Sequence, residues 1–336
     1  MTDVPMPPGV DHAAVVLAFR VPNELDGQRL DRFVHWRIPR LTRERAREII
    51  RACARRPDGA RRAPSERVRA GEIVLLVRER FVEPTTPRTF RVIHRDEALT
   101  IVDKPPGLPV HPSATYHRNT LTALLRERFG EDAPQICHRL DRETSGVVVC
   151  AQPGPDEVAV KRQFEARQVD KEYLAIVRHR IETDARTIDL PLRRVREGLH
   201  LRVEVHPEGA PARTELEVVA RDRERTLVRL IPRTGRQHQL RVHLAAIGHP
   251  IVGDKLYGPD GESAFLEFVE TGMTESLRAR LGHDRQALHA YRIALVHPRS
   301  GARIEARAPL PPDLVALWGS DPLATPAGTA GKPGPG

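Results

Sequence analysis

His138-Arg139-Leu140-Asp141-Arg142-Glu143-Thr144-Ser145-Gly146 leads directly into the apolar run Val147-Val148-Val149-Cys150-Ala151, which reads as a buried strand. Asp141 lies between two arginines, and neighbouring guanidinium groups favour the ionised form of a carboxyl. An ionised carboxylate held in place can attack a carbon centre or stabilise a developing cation. Taken alone, the segment reads as an arginine-rich surface turn. Its companions along the chain argue otherwise.

His138 to Gly146 resembles the HRLDxxTSG signature of the RluA-type pseudouridine synthases, enzymes that isomerise uridine in RNA. The same family pattern is carried by Asp103-Lys104-Pro105-Pro106-Gly107-Leu108-Pro109-Val110-His111-Pro112 and by Lys171-Glu172-Tyr173-Leu174-Ala175-Ile176-Val177. It continues in Thr234-Gly235-Arg236-Gln237-His238-Gln239-Leu240-Arg241-Val242-His243, in Gly248 to Gly258, and in Leu288-His289-Ala290-Tyr291. The blocks follow the family's order over roughly residues 91–310. The main departure is Gln237, where the family more often has Thr or Ile.

The composition narrows the function classes. A chain of 336 residues accommodates two domains and can bury a core without disulfide staples. Its cysteines, Cys53, Cys137 and Cys150, are odd in number and lack CxxC spacing, which fits small buried thiols in a reducing compartment. The fifteen histidines are scattered, with no HExxH pattern, so no metal site is expected. No apolar run approaches the roughly 18–20 residues a membrane helix needs. No charged segment precedes the short run at 15–19, so no signal peptide is expected. A soluble, cytoplasmic monomer without cofactor, metal or membrane partner is the expectation.

The net charge of +9 is concentrated. Between Arg29 and Arg69, fourteen arginines face five acidic residues, a balance of +9 that leaves the remaining residues neutral in sum. Such a module is an electrostatic footprint for a polyanion. Lysine is rare, five against 49 arginines, yet Lys104, Lys171 and Lys255 fall inside the motif blocks, where a compact ammonium is wanted.

The sequence pattern predicts a flexible arm or a short leading strand at 1–18, then a helix from residue 29 stopped by Pro39. A second helix over 44–54 is capped by Thr42, and a strand follows at 72–77. This unit, 19–82, looks like an S4 RNA-binding domain, including its start at Gly27-Gln28-Arg29-Leu30-Asp31-Arg32-Phe33. The Val-Asn-Gly hairpin of such modules is not recognisable at 53–65. Residues 83–89 read as a proline-stiffened linker, 90–318 as the catalytic domain, and 319–336 as a disordered tail. Within the catalytic domain, strands are predicted at 90–94, 99–102, 146–151, 173–177, 199–205, 215–220, 226–231, 290–296 and 303–307. Helices are predicted at 121–129, 156–167 and 236–247. Successive strands without intervening helices argue for α+β, a mixed and largely antiparallel sheet flanked by helices, the architecture the resemblance also implies.

Making pseudouridine means breaking the N1–C1′ bond, turning the base and rejoining it through C5, with no redox step or group donor. The absence of GxGxxG, P-loop and metal motifs agrees with this. The resemblance assigns the catalytic carboxylate to Asp141, acting through a sugar adduct or by removing a sugar proton. It makes Arg236 the guanidinium partner of that carboxylate and Tyr173 the ring on which uracil stacks. It makes Arg139 the side chain that fills the gap left by an everted nucleotide. Lys104, His111 and Lys255 line or brace the cleft, and Arg43, Arg45 and Arg47 contact phosphates. Large-subunit ribosomal RNA is the first expected partner and tRNA the second. Two other classes remain: a non-catalytic S4-type RNA-binding protein, and a glycosidic hydrolase, for which a second carboxylate beyond Glu143 is not apparent.

Overall fold

In the computed structural model the chain divides into two units, Met1–Pro84 and Thr85–Gly336. The structure describes residues 7, 8, 10, 14–39, 41–78, 82–113, 115–195, 199 and 201–323.

The first unit comprises β1 (Val15–Arg20), α1 (Leu30–Arg37), α2 (Arg43–Cys53), β2 (Ala54–Arg55) and β3 (Ile73–Arg78). Its antiparallel sheet has the order β1-β3-β2. The apolar stripe of each helix packs on this sheet: Leu30, Phe33 and Val34 from α1 and Ala46 and Ile50 from α2 meet Val74 and Leu76. Thr42 caps α2, its hydroxyl accepting from the Arg45 N–H at 3.1 Å. Of the stretch 1–18, for which an arm or a short leading strand was expected, Val15–Arg20 forms a strand that pairs along all of β3; residues 1–6, 9 and 11–13 lie outside the described residues. A hairpin is also present where none was recognisable. The chain turns at Pro57-Asp58-Gly59, the Asp58 carboxylate accepts from the Ala60 N–H at 2.9 Å, and Arg61 returns opposite Arg55. Its turn residues are Asp-Gly rather than Asn-Gly, which serve the same geometry.

The second unit begins with β4 (Arg91–Arg95), β5 (Leu99–Lys104), α3 (Leu121–Phe129), β6 (Gln135–Ile136), β7 (Ser145–Ala151), α4 (Pro155–Glu165) and β8 (Asp170–Arg178). It continues with β9 (Ala185–Asp189), β10 (Leu192–Arg194), β11 (Val203–Val205), β12 (Arg213–Arg221), β13 (Arg225–Pro232) and α5 (Gln239–Ala246). It ends with α6 (Glu262–Thr271), α7 (Glu275–Leu281), β14 (Leu288–Val296), β15 (Arg303–Arg307) and α8 (Pro312–Trp318). One ten-stranded sheet runs β4-β5-β7-β14-β8-β13-β12-β9, with β15 on β14 and β6 on β7. Every pairing in it is antiparallel except β7 with β14, so the sheet is mixed and the α+β expectation holds.

That parallel seam positions the site. Ser145 and Gly146 meet His289 and Ala290, and Gly146 has φ +112. A β-carbon on Gly146 would lie 2.2 Å from the Ala290 carbonyl oxygen, so only glycine permits the approach. Asp141 lies in the loop entering β7, while β14 brings β8, with Tyr173, alongside. The strand predicted at 199–205 contracts to β11, and residue 200 lies outside the described residues. Of the predicted tail, Gly319 closes α8 with φ +97, and residues 324–336 lie outside the described residues.

Candidate active site

A cavity of about 360 Å³ opens beside the seam, a size suited to a small ligand or a single nucleoside. Asp141, Arg139, Tyr173 and Arg236 all line it, together with His238 and Arg241. Strand alternation puts Lys171 and Tyr173 on one face of β8, and both border the cavity.

Asp141 is held by an arginine, and that arginine is Arg241. Its Nη1 donates to Asp141 Oδ2 at 3.0 Å, while Nε and Nη2 donate to the two oxygens of Asp254 at 2.7 and 2.8 Å. The guanidinium fork therefore bridges two carboxylates. Asp254 is fixed in turn by the N–H groups of Leu256 and Tyr257, and the Tyr257 ring lies 5.0 Å under the guanidinium. Burial pushes the Asp141 carboxyl up, but the Arg241 charge and hydrogen bond outweigh it and keep the group below the usual carboxylate range. For Arg241, burial is outweighed by Asp254 and Asp141, so the guanidinium is held above its ordinary value.

The expected pairing of Arg236 with Asp141 is thereby corrected. Arg236 is exposed and its Nε donates to the Pro211 carbonyl at 3.2 Å. The expectation started α5 at residue 236, but the Gln239 side chain intervenes. Its Oε1 accepts from the Thr234 hydroxyl at 2.7 Å and from the Arg236 N–H at 3.0 Å. The helix consequently begins at Gln239, and its first turn aims Arg241 inward.

The loop carrying Asp141 is braced from several elements. Lys104 is fully buried, and its ammonium donates to the carbonyls of Pro105, Leu108 and Arg142 at 2.9, 2.9 and 3.1 Å. Burial, reinforced by Arg285, pushes its pKa down to about 7. Lys255 donates to both Glu143 oxygens at 2.9 and 3.0 Å and to the Asp284 carbonyl at 2.7 Å. Arg285 adds a bond to the Glu143 carbonyl at 3.1 Å while its Nε holds Asp313 at 2.6 Å. Both lysines thus brace the loop. His111 does not border the cavity; its exposed ring meets the Thr122 hydroxyl at 3.2 Å. Arg139 stands exposed at the cavity edge. Burial and the Asp141 charge raise the Tyr173 phenol above its ordinary range, so it stays protonated.

Sequence reasoning passed over Arg241, Asp254, His238 and Tyr257, although all four lie inside the quoted motif blocks. His238 has φ +53, and burial pushes its pKa down to about 4 against the pull of Asp141, leaving a neutral ring. In the N-terminal unit, Arg47 donates to the buried Asp31 at 2.8 Å and Arg43 lies 3.8 Å from it, while Arg45 pairs with Glu48 on the surface. Among the described residues no cluster of metal-ligating side chains is found, and no helix is long and apolar enough to cross a membrane.

Comparison with known proteins bears on this cavity directly. Residues 98–246 match the family model described as RNA pseudouridylate synthase. The chain is 41% identical over 188 residues to ribosomal large subunit pseudouridine synthase D of Haemophilus ducreyi, covering 54% of each chain. It is 39% identical over 193 residues to the protein of that name from Escherichia coli, covering 55% of this chain and 56% of the relative. The chain therefore spans little more than half the length of these curated relatives. Among solved structures, human RNA pseudouridylate synthase domain containing 4 superposes with a TM-score of 0.55 at 29% identity, covering 68% of this chain and 92% of that one. Human RNA pseudouridylate synthase domain containing 1 gives 0.54 at 29% identity, covering 70% and 90%. Across the segment that builds the cavity the chain is similar in sequence to RNA pseudouridine synthases, and across the sheet beneath it is similar to them in fold.

Proposed function

We propose that the protein isomerises uridine to pseudouridine in RNA, with Asp141 as the catalytic carboxylate and large-subunit ribosomal RNA as the substrate. The observation that carries this reading is the ion pair of Asp141 with Arg241 inside the cavity bordered by Tyr173. The guanidinium keeps the carboxylate ionised and aimed, as attack at C1′ or removal of a sugar proton requires. The Tyr173 ring gives the detached uracil a surface to stack on, and Arg139 enters the gap left by the everted nucleotide. The ribosomal substrate follows from the names of the relatives; tRNA is the alternative. The basic N-terminal unit acts as an S4-like RNA-binding domain whose Arg43, Arg45 and Arg47 meet phosphates.

The test is carbodiimide mapping of ribosomal RNA and tRNA transcripts after incubation with the purified chain. A new pseudouridine in ribosomal RNA is expected; modification of tRNA alone reassigns the substrate, and release of free uracil makes the protein a hydrolase. Asp141→Asn should abolish turnover while RNA affinity stays within about threefold of wild type, because phosphate contacts dominate binding.

A further inference from the structure

Three polar groups behind Asp141 stand in an order that fixes the position of one proton. The Val203 N–H donates to the Tyr257 hydroxyl oxygen at 2.9 Å, and the same oxygen lies 2.9 Å from Nδ1 of His238. Tyr257 is buried, and among the described residues its hydroxyl has no other polar neighbour at hydrogen-bond distance. A buried O–H is satisfied by an acceptor, so its hydrogen goes to Nδ1. A neutral imidazole that accepts at Nδ1 carries its own hydrogen on Nε2.

Nε2 is directed at the catalytic carboxylate but does not reach it. It lies 3.8 Å from Asp141 Oδ1, beyond a hydrogen bond, and has no acceptor among the described residues. The His238 side chain is 10% exposed, so this donor has little water to satisfy it. It is also held at a backbone cost. A left-handed conformation at a non-glycine residue costs about 1–3 kcal/mol and persists where the surroundings impose it, often at functional sites.

We infer that His238 recognises the 2′-hydroxyl of the target nucleotide: its Nε2–H donates to the 2′-oxygen, and Tyr257 sets the tautomer that makes this possible. The inference rests on the isomerase reading. If Asp141 acts at C1′ or at its neighbouring carbon, the 2′-oxygen lies next to the reacting atoms. A donor poised beside the carboxylate, yet not bonded to it, is within reach of that oxygen. The 2′-hydroxyl is also the group by which a protein distinguishes RNA from DNA. His238 and Tyr257 thereby make the site selective for ribose.

The test is a cycle between protein and substrate. Single-turnover pseudouridine formation is measured on RNA whose target uridine carries either a 2′-hydroxyl or a 2′-fluoro group, with wild type, His238→Asn and Tyr257→Phe. Asparagine tolerates the left-handed backbone, and phenylalanine keeps the ring under Arg241 while removing only the hydroxyl. With the 2′-hydroxyl RNA, His238→Asn should be slower by about tenfold, the loss of one hydrogen bond, and Tyr257→Phe by somewhat less. With the 2′-fluoro RNA the three proteins should be alike. Equal slowing of both RNAs by the variants would overturn the inference, since it would mean that His238 acts on Asp141 or the base. Should the fluoro RNA not turn over at all, competition binding reads the same cycle: wild type prefers the hydroxyl RNA and His238→Asn does not, and an unchanged preference overturns the assignment. Wild type that forms no pseudouridine on the hydroxyl RNA refutes the isomerase itself, and with it the subsite.

Discussion

Arg241→Met removes the guanidinium that stands between Asp141 and Asp254 while retaining most of the side chain's bulk. The distances set the size of the effect, with Nη1 at 3.0 Å from Asp141 and Nε and Nη2 at 2.7 and 2.8 Å from Asp254. Opposite charges about 4 Å apart at an effective dielectric of about 20 attract by about 4 kcal/mol. That is a factor of about 10³ in the ratio of ionised to protonated carboxyl. In the variant, burial remains while its largest opponent is gone, so Asp141 moves up relative to wild type. The acid limb of the pH–rate profile should shift toward neutrality, and the single-turnover rate near pH 7 should fall by about 10² or more. Stability should fall by about 3–5 kcal/mol, since the fully buried Asp254 and the partly buried Asp141 lose their partner. The sign follows from the depressed pKa of both aspartates: the stability they contribute is present above the ordinary carboxyl range and is lost as pH falls through their folded values. The gap between wild type and variant in denaturant melts should therefore narrow in acid. Arg241→Lys keeps a charge but not the fork, and should recover stability more than rate. A methionine variant with an unmoved acid limb and a rate within about threefold of wild type would refute the argument that this guanidinium keeps Asp141 ionised.

Gly146→Ala should cost more than about 4 kcal/mol and leave little soluble protein, because a β-carbon there would overlap the Ala290 carbonyl. Gly301→Ala, also left-handed but in open space, is the control and should cost about 1 kcal/mol in the same denaturant titration. Lys104→Met should lower stability by about 2–4 kcal/mol, since three buried carbonyls lose a donor, and should raise hydrogen exchange in the loop around Asp141. In the N-terminal unit, Arg45→Ala should reduce the slope of log affinity against log salt by about 0.7–0.9 with an unchanged melting temperature. Arg47→Ala should instead lower the melting temperature, because it strips a partner from the buried Asp31.

The parts of this fold written in continuous apolar runs were legible. β5, β7, β8, β13 and β14 fall within a few residues of the apolar runs, because each is buried along most of its length. β9 escaped notice for the opposite reason: it is an edge strand with Ile188 as its one buried residue, so no periodicity betrays it. Asp141, the proposed catalytic carboxylate, stood out because its flanking residues form a dense motif. Its partner did not, since the Thr234–Arg241 stretch offers two arginines and the choice between them depends on a side-chain cap that only the fold reveals. A bracing role for Lys255 was expected, but its partner Glu143 and the contribution of Arg285 were hidden, as these contacts join residues more than a hundred positions apart.

The two-residue parallel seam bears on how the chain is made. Ser145 reaches His289 across 144 positions of chain, and Arg285 and Asp313 complete the scaffold beneath the Asp141 loop. Closing so long a loop is entropically costly and slow compared with forming hairpins. During translation the His138–Gly146 motif emerges from the ribosome long before the strand that seats it. A partly synthesised chain would expose Asp141 without its mould until the strand carrying His289 and the helix carrying Asp313 had followed it out.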